Sequence, residues 1–241
     1  MNGCLFIHGF TGAPYEVEPL ADYVRKNTDW EVRTPCLPGH GDSDSLKGIA
    51  FENWIDCAEE ELKSLLEHCG EVYVIGFSMG GMIASYLAEK YPVKKLILLS
   101  AAAYYVNPRQ FIKDIRGMVQ DRFKGLLHEN EIYLRYRKKI LETPIMATLQ
   151  FRKLVNYVKP RLPGIRIPVL IVQGECDGIV PVKSAHFLYK KIGSQKKKLC
   201  FLPSSKHLVC HGGDFEALAE EAGEFLGITP SHRREHQKQE G

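Results

Sequence analysis

Along the chain, short runs of consecutive apolar residues alternate with longer stretches in which apolar positions recur every three or four residues. Short runs bounded by turn-formers suit strands buried on both faces, and three-and-four spacing suits helices with one buried side. Six strands are therefore expected at residues 4–8, 31–36, 72–77, 96–100, 168–173 and 198–202. Helices are expected at about 14–27, 51–69, 79–90, 182–191 and 215–226, the second burying Leu62, Leu65, Leu66 and Cys69. Strand followed by helix, repeated throughout, is the order of an α/β fold with a mostly parallel sheet of six strands or slightly more and helices on both faces.

One stretch breaks the rhythm. About 65 residues separate the strand ending at Ser100 from the one starting at Pro168, too many for a structureless loop in a compact domain. The segment should carry its own helices: Phe111, Ile112, Ile115, Met118 and Val119 form one apolar face, and Ile132, Tyr133, Tyr136, Ile140 and Leu141 another. The expected organisation is a core of residues 1–103 and 167–228, an inserted helical cap at 104–166, and a polar tail at 229–241.

With 241 residues, 44% of them hydrophobic and 25% charged, the chain is that of an ordinary globular protein with one main core. The longest uncharged run near the middle, 96–106, is far short of the roughly 20 apolar residues a membrane helix needs. No basic region or small-residue cleavage site marks the N-terminus as a signal peptide, so a cytoplasmic location is expected. Seven cysteines without a C-x-x-C pair suit reduced, mostly buried thiols better than disulfides or zinc. The net charge of +3 gives no argument for nucleic acid. Its distribution is uneven, because residues 104–166 hold 14 Lys and Arg against 5 Asp and Glu, with Arg135, Arg137, Lys138 and Lys139 the densest cluster. A solvated face is the plain reading; weak association with anionic lipid surfaces is the sharper one.

The candidate chemistry begins at Gly76-Phe77-Ser78-Met79-Gly80-Gly81, between the run 72–75 and the helical pattern that follows. A G-x-S-x-G match alone is weak. Flanked by strand and helix it describes a tight turn that projects the serine oxygen, with the positive end of the helix aimed at it. A serine hydroxyl needs a base, and the base an orienting acid. Asp177 lies just past the fifth strand and His207 just past the sixth, both at carboxyl ends where ligands gather in open α/β sheets. The chain order Ser78, Asp177, His207 is that of the α/β-hydrolase fold.

These residues, with His8-Gly9-Phe10-Thr11-Gly12 and Leu37-Pro38-Gly39-His40-Gly41, make the sequence resemble the α/β-hydrolases, and more narrowly small bacterial carboxylesterases and monoacylglycerol lipases with a minimal cap. The resemblance implies a serine hydrolase acting on carboxylic esters without metal or organic cofactor. It assigns the oxyanion hole to the backbone amides of Phe10 and Met79. The cap, rich in Phe, Ile, Leu, Met and Tyr, is expected to cover Ser78 and supply much of an acyl pocket that favours medium chains over acetyl. Because the given sequence opens almost directly on its first strand, the antiparallel opening hairpin of larger relatives is not expected in it.

Rival readings stay open. A thioesterase or small amide or peptide hydrolase would share these motifs, and so would a ligand sensor on the same fold that turns over slowly. Glu175 is an alternative acid. His207 and His211 have the spacing of a helical metal pair with Asp214 nearby, but the ligand count falls short. His8 and His40 are expected to brace loops. Nothing in the sequence specifies the oligomeric state.

Overall fold

The computed structural model describes residues 1–41, 45–104 and 145–228. Its strands are β1 (Gly3–Ile7), β2 (Glu31–Arg33), β3 (Val72–Phe77), β4 (Lys95–Leu99), β5 (Val169–Gly174) and β6 (Lys197–Leu202). The helices are α1 (Glu18–Asn27), α2 (Phe51–His68), α3 (Met79–Lys90), α4 (Ile145–Val158), α5 (Lys183–Lys191) and α6 (Phe215–Leu226). The sheet is parallel throughout, in the order β2-β1-β3-β4-β5-β6.

Alternation along each strand divides the core in two. Leu5, Ile7, Val74, Leu96, Leu98, Val169 and Ile171 face the layer of α2, α3, α4 and α5. Cys4, Phe6, Ile75, Ile97, Leu99, Leu170 and Val172 face α1 and α6 on the other side. Both faces being covered explains why the inner strands β1, β3, β4 and β5 read as largely apolar runs. Helix α3 is buried from Met79 through Ala88, as a helix apolar all round must be.

Three departures from the expected elements have local causes. The second strand stops at Arg33 rather than residue 36, because Pro35 has no N–H to extend the ladder. The expected helix at 14–27 is a 3-10 turn, Pro14–Glu16, followed by α1. In one unbroken helix the ring of Pro19 would clash with the carbonyl of Tyr15; a restart at Glu18 puts the proline in a first turn, where it is tolerated. The third is α4, inside the stretch read as an insertion. It packs on α3 and α2, and its Ala147, Phe151, Leu154, Val155 and Val158 join the main core. The apolar faces expected at 111–119 and 132–141, the Arg135 to Lys139 cluster and the tail lie outside the described residues.

The strand order creates the site. From β1 the chain passes outward to β2 and returns across β1 to β3, with α1 on one face and α3 on the other. The loops leaving β1 and β3 therefore diverge and open a crevice at their carboxyl ends.

Candidate active site

Ser78 sits at that crevice, between β3 and α3, with φ 53° and ψ −115°. Residues with side chains rarely occupy this region, at a cost on the order of 1–3 kcal/mol. Backbone bonds hold the conformation: Ser78 N–H donates to Leu99 O at 2.9 Å, and Ser78 O accepts from Gly81 and Ala102 N–H, each at 3.1 Å. The glycines are required by close approach. A Cβ on Gly80 would collide with the carbonyl oxygens of Ile7 and His8, and one on Gly76 with the carbonyl of Gly80. The elbow thus packs directly on the end of β1, beside the loop that carries Phe10.

Residues 129 and 99 positions away in sequence complete the arrangement. His207 Nε2 lies 3.0 Å from Ser78 Oγ, and His207 Nδ1 lies 2.8 Å from Asp177 Oδ2. Ser78 and His207 are buried, and the imidazole packs against Phe77 at a ring separation of 4.8 Å. The other Asp177 oxygen, Oδ1, accepts from the N–H groups of Ile179 at 2.8 Å and Val180 at 2.9 Å. Burial alone would raise the Asp177 pKa. The His207 charge and hydrogen bond, with the two backbone donors, outweigh it and hold the carboxyl below its ordinary value. An ionised carboxylate accepting on Oδ2 requires the proton on Nδ1, which leaves Nε2 as the acceptor facing the serine hydroxyl.

Met79 follows the serine, and Phe10 lies on the loop that leaves the end of β1, where the elbow packs. Met79 is the first residue of α3, where an amide has no partner within its own helix. The Phe10 loop is shaped by Thr11 at φ 65° and by Gly9 N–H, which donates to the buried Glu16 carboxylate at 2.7 Å. The Phe10 ring stacks on Phe151 of α4 at 5.3 Å and meets Trp54 edge-on at 5.8 Å. An aromatic wall therefore joins this loop to α2 and α4.

The remaining candidates have other tasks. His8 Nε2 accepts from Leu37 N–H at 3.0 Å while its Nδ1 meets Gly9 O at 2.8 Å, which ties β1 to the 37–41 loop. His40 Nδ1 and Trp54 Nε1 both donate to Pro38 O, each at 3.0 Å. Glu175 is exposed, and it is Asp177 that meets His207. His211 Nε2 donates to Tyr15 O at 2.7 Å, and Asp214 accepts from Ser204 N–H and Ser205 Oγ, so neither turns toward a shared metal with His207. Among the described residues, Glu31, His68 and Cys69 bring three ligating atoms within 4.8 Å of one another, at the opposite end of the sheet from Ser78. There Glu31 is already paired with Arg33 and His68.

A family model described as "Serine aminopeptidase, S33" matches residues 2–212. The chain belongs to this α/β-hydrolase family. The hydrolase is 29% identical over 233 residues to the thermostable monoacylglycerol lipase of Bacillus sp. (strain H-257), covering 93% of this chain and 90% of that one. To the carboxylesterase of Bacillus subtilis (strain 168) it is 23% identical over 226 residues, covering 92% and 91%. A solved structure from work on LipS and LipT, two metagenome-derived lipolytic enzymes, superposes with a TM-score of 0.76 over 93% of this chain and 92% of that one at 24% identity, a likeness of fold. Among the described residues, no helix is long and apolar enough to cross a membrane.

Two members of this neighbourhood escape a reading of the sequence. Phe151 lies in the expected insertion, although the spacing of Ala147, Phe151, Leu154, Val155 and Val158 is helical. Gln173 is the penultimate residue of the otherwise apolar β5 and is completely buried, with its Nε2 2.9 Å from Asp177 Oδ2. Only the strand-end position hints at it.

Proposed function

We propose that this hydrolase cleaves carboxylic esters, of the carboxylesterase or monoacylglycerol lipase type, through a covalent acyl-enzyme on Ser78. The observation that carries the reading is the continuous hydrogen-bond chain from Ser78 Oγ through His207 to Asp177, at 3.0 and 2.8 Å, set on a strained elbow. His207 Nε2 takes the hydroxyl proton as Ser78 Oγ attacks the ester carbonyl carbon, and the carbonyl electron pair moves onto oxygen. The amides of Phe10 and Met79 receive that oxyanion, each donor contributing about 2.7–4 kcal/mol to the barrier reduction. Collapse expels the alcohol, which takes the proton from His207. Water, deprotonated by the same imidazole, then releases the acid. Asp177 stays ionised, orients the ring and stabilises its charged form.

The aromatic wall of Phe10, Phe151 and Trp54 supports an apolar acyl group beside the serine. Each methylene it buries adds up to about 0.8 kcal/mol. The relatives named as a monoacylglycerol lipase and a carboxylesterase support esters over amides. Stopped-flow hydrolysis of p-nitrophenyl esters tests the reading, with matched thioesters and anilides as controls. The expected result is a burst of nitrophenol equal to the enzyme concentration, followed by steady turnover faster on esters than on either control. A thioester preference, or an acyl-enzyme that forms but releases over minutes, would move the assignment to a thioesterase or a sensor.

A further inference from the structure

We propose that Gln173 is a positioning residue for the His207–Asp177 pair, its side-chain amide sharing Asp177 Oδ2 with His207 and so fixing the carboxylate's rotation and its hold on the imidazole. The inference rests on the reading of Ser78, His207 and Asp177 given above.

Gln173 is the fifth residue of β5, a strand otherwise made of Val, Leu, Ile, Val and Gly, and it is completely buried. Its Nε2 is surrounded by acceptors: Asp177 Oδ2 at 2.9 Å, and the carbonyls of Gly174 and Val180, each at 3.2 Å. Three acceptors around one atom identify it as the NH2 end of the amide. The Oε1 end is buried with no hydrogen-bond partner. An amide placed only to fill space would be a poor choice, since an unpaired buried carbonyl is destabilising and an apolar side chain of the same length avoids it. What the amide adds is a fourth donor to Asp177.

A carboxylate offers about four acceptor positions, and Asp177 has all of them engaged. Ile179 and Val180 N–H occupy Oδ1, while His207 Nδ1 and Gln173 Nε2 occupy Oδ2. The backbone donors anchor one oxygen to the turn. Gln173, anchored in turn on Val180 O, prevents the other from rotating away from the imidazole. The groups facing this pair are Ser78 and the Phe77 ring from the β3–α3 elbow, and Gln173 with the turn backbone from β5. The chain neighbours Glu175, Cys176 and Lys206 are exposed.

Removing the donor lets Asp177 Oδ2 turn away from Nδ1. The hydrogen bond that orients the imidazole and stabilises its charged form then weakens, so kcat falls and the acid limb of kcat/KM moves downward. The test compares Gln173→Met, which keeps length and removes both the donor and the unpaired oxygen, with Gln173→Glu, whose protonated carboxyl can still donate. Readouts are the pH profile of kcat/KM on a p-nitrophenyl ester, the downfield proton resonance of His207 Nδ1–H, thermal unfolding, and fluorophosphonate labelling of Ser78.

For Gln173→Met the expected results are an unfolding temperature only a little below wild type, since Asp177 and Val180 O each lose a donor while the unpaired Oε1 is removed, kcat lower by about tenfold with KM little changed, an acid limb at lower pH, and a shifted Nδ1–H resonance. Gln173→Glu should work nearly normally at low pH and lose activity as its own carboxyl ionises beside Asp177. A folded Gln173→Met enzyme with an unchanged profile, resonance and kcat overturns the proposal alone, provided that wild-type Ser78 is labelled. So does a loss of activity that only tracks loss of folded protein. An unlabelled Ser78 in the wild type overturns the parent reading together with it.

Discussion

Replacing Asp177 by Asn puts the proposed chemistry under the most specific strain. Every neighbour of the carboxylate is a donor: Ile179 and Val180 N–H on Oδ1, and His207 Nδ1 and Gln173 Nε2 on Oδ2. An Asn side chain has one oxygen and one NH2. The two backbone donors are fixed, so the oxygen must serve them and the NH2 must face Gln173 and His207. The imidazole can accept from that NH2 only by moving its proton to Nε2, which then points a hydrogen at Ser78 instead of a lone pair. The expected loss is about 10⁴-fold in kcat, equivalent to roughly 5 kcal/mol of barrier at 1.36 kcal/mol per decade. Stability should fall by only about 1–3 kcal/mol, because Gln173 Nε2 is left facing another donor. The pH dependence of that difference follows from the sign of the shift. The folded carboxyl titrates below its ordinary value, so its contribution is complete above the unfolded pKa of about 3.9 and is lost as pH falls through the folded value. Wild type and variant should therefore converge in stability as the pH drops below about 4. Steady-state kinetics on a p-nitrophenyl ester and urea unfolding across pH measure both quantities. A folded Asp177→Asn enzyme within tenfold of wild-type kcat would refute the reasoning, and a larger effect from Glu175→Gln would move the acid to Glu175.

Specificity constants for p-nitrophenyl esters should rise from acetyl through medium chains and then level or fall, since each buried methylene adds up to about 0.8 kcal/mol until the pocket is full; a maximum at acetyl contradicts this. Gly80→Ala should cost about 1–3 kcal/mol by overpacking and depress kcat further than stability, because the new methyl pushes α3, and with it the Met79 amide, away from the end of β1; full activity in a folded variant argues against the assigned oxyanion site. Binding to anionic vesicles should weaken between 0.01 and 0.15 M salt, as the Debye length falls from roughly 30 to 8 Å, and neutralising Arg135, Arg137, Lys138 and Lys139 should remove the salt dependence. Equal, negligible binding to neutral and anionic vesicles at low salt leaves those charges as a solvated face.

How much was legible depends on whether a residue's task is local. The elbow at Ser78 is written in five consecutive residues, because a strand, a tight turn and a helix start each leave their own mark. The sheet was legible because burial on both faces turns strands into unbroken apolar runs. Its second strand, Glu-Val-Arg at the sheet edge, is not such a run, and it ends at Arg33 rather than residue 36 because Pro35 has no N–H to extend the ladder. Helix α4 falls within the expected insertion because a long gap between strands says nothing about where the chain rejoins the core. The hydrogen bond of Gln173 to Asp177 spans only four residues, but no motif marks it; the stacking of Phe151 on Phe10 forms only once the sheet has assembled. No window of sequence contains both partners of the stacked pair.

The central claim is that Ser78 forms the covalent intermediate. The direct measurement is intact-protein mass spectrometry after reaction with a fluorophosphonate, followed by peptide mapping, on wild type and Ser78→Ala. A single adduct on the peptide carrying Ser78, absent from a folded Ser78→Ala protein that has also lost esterase activity, is the predicted result. Labelling of the Ala variant at another serine, or undiminished ester turnover by it, would contradict the account.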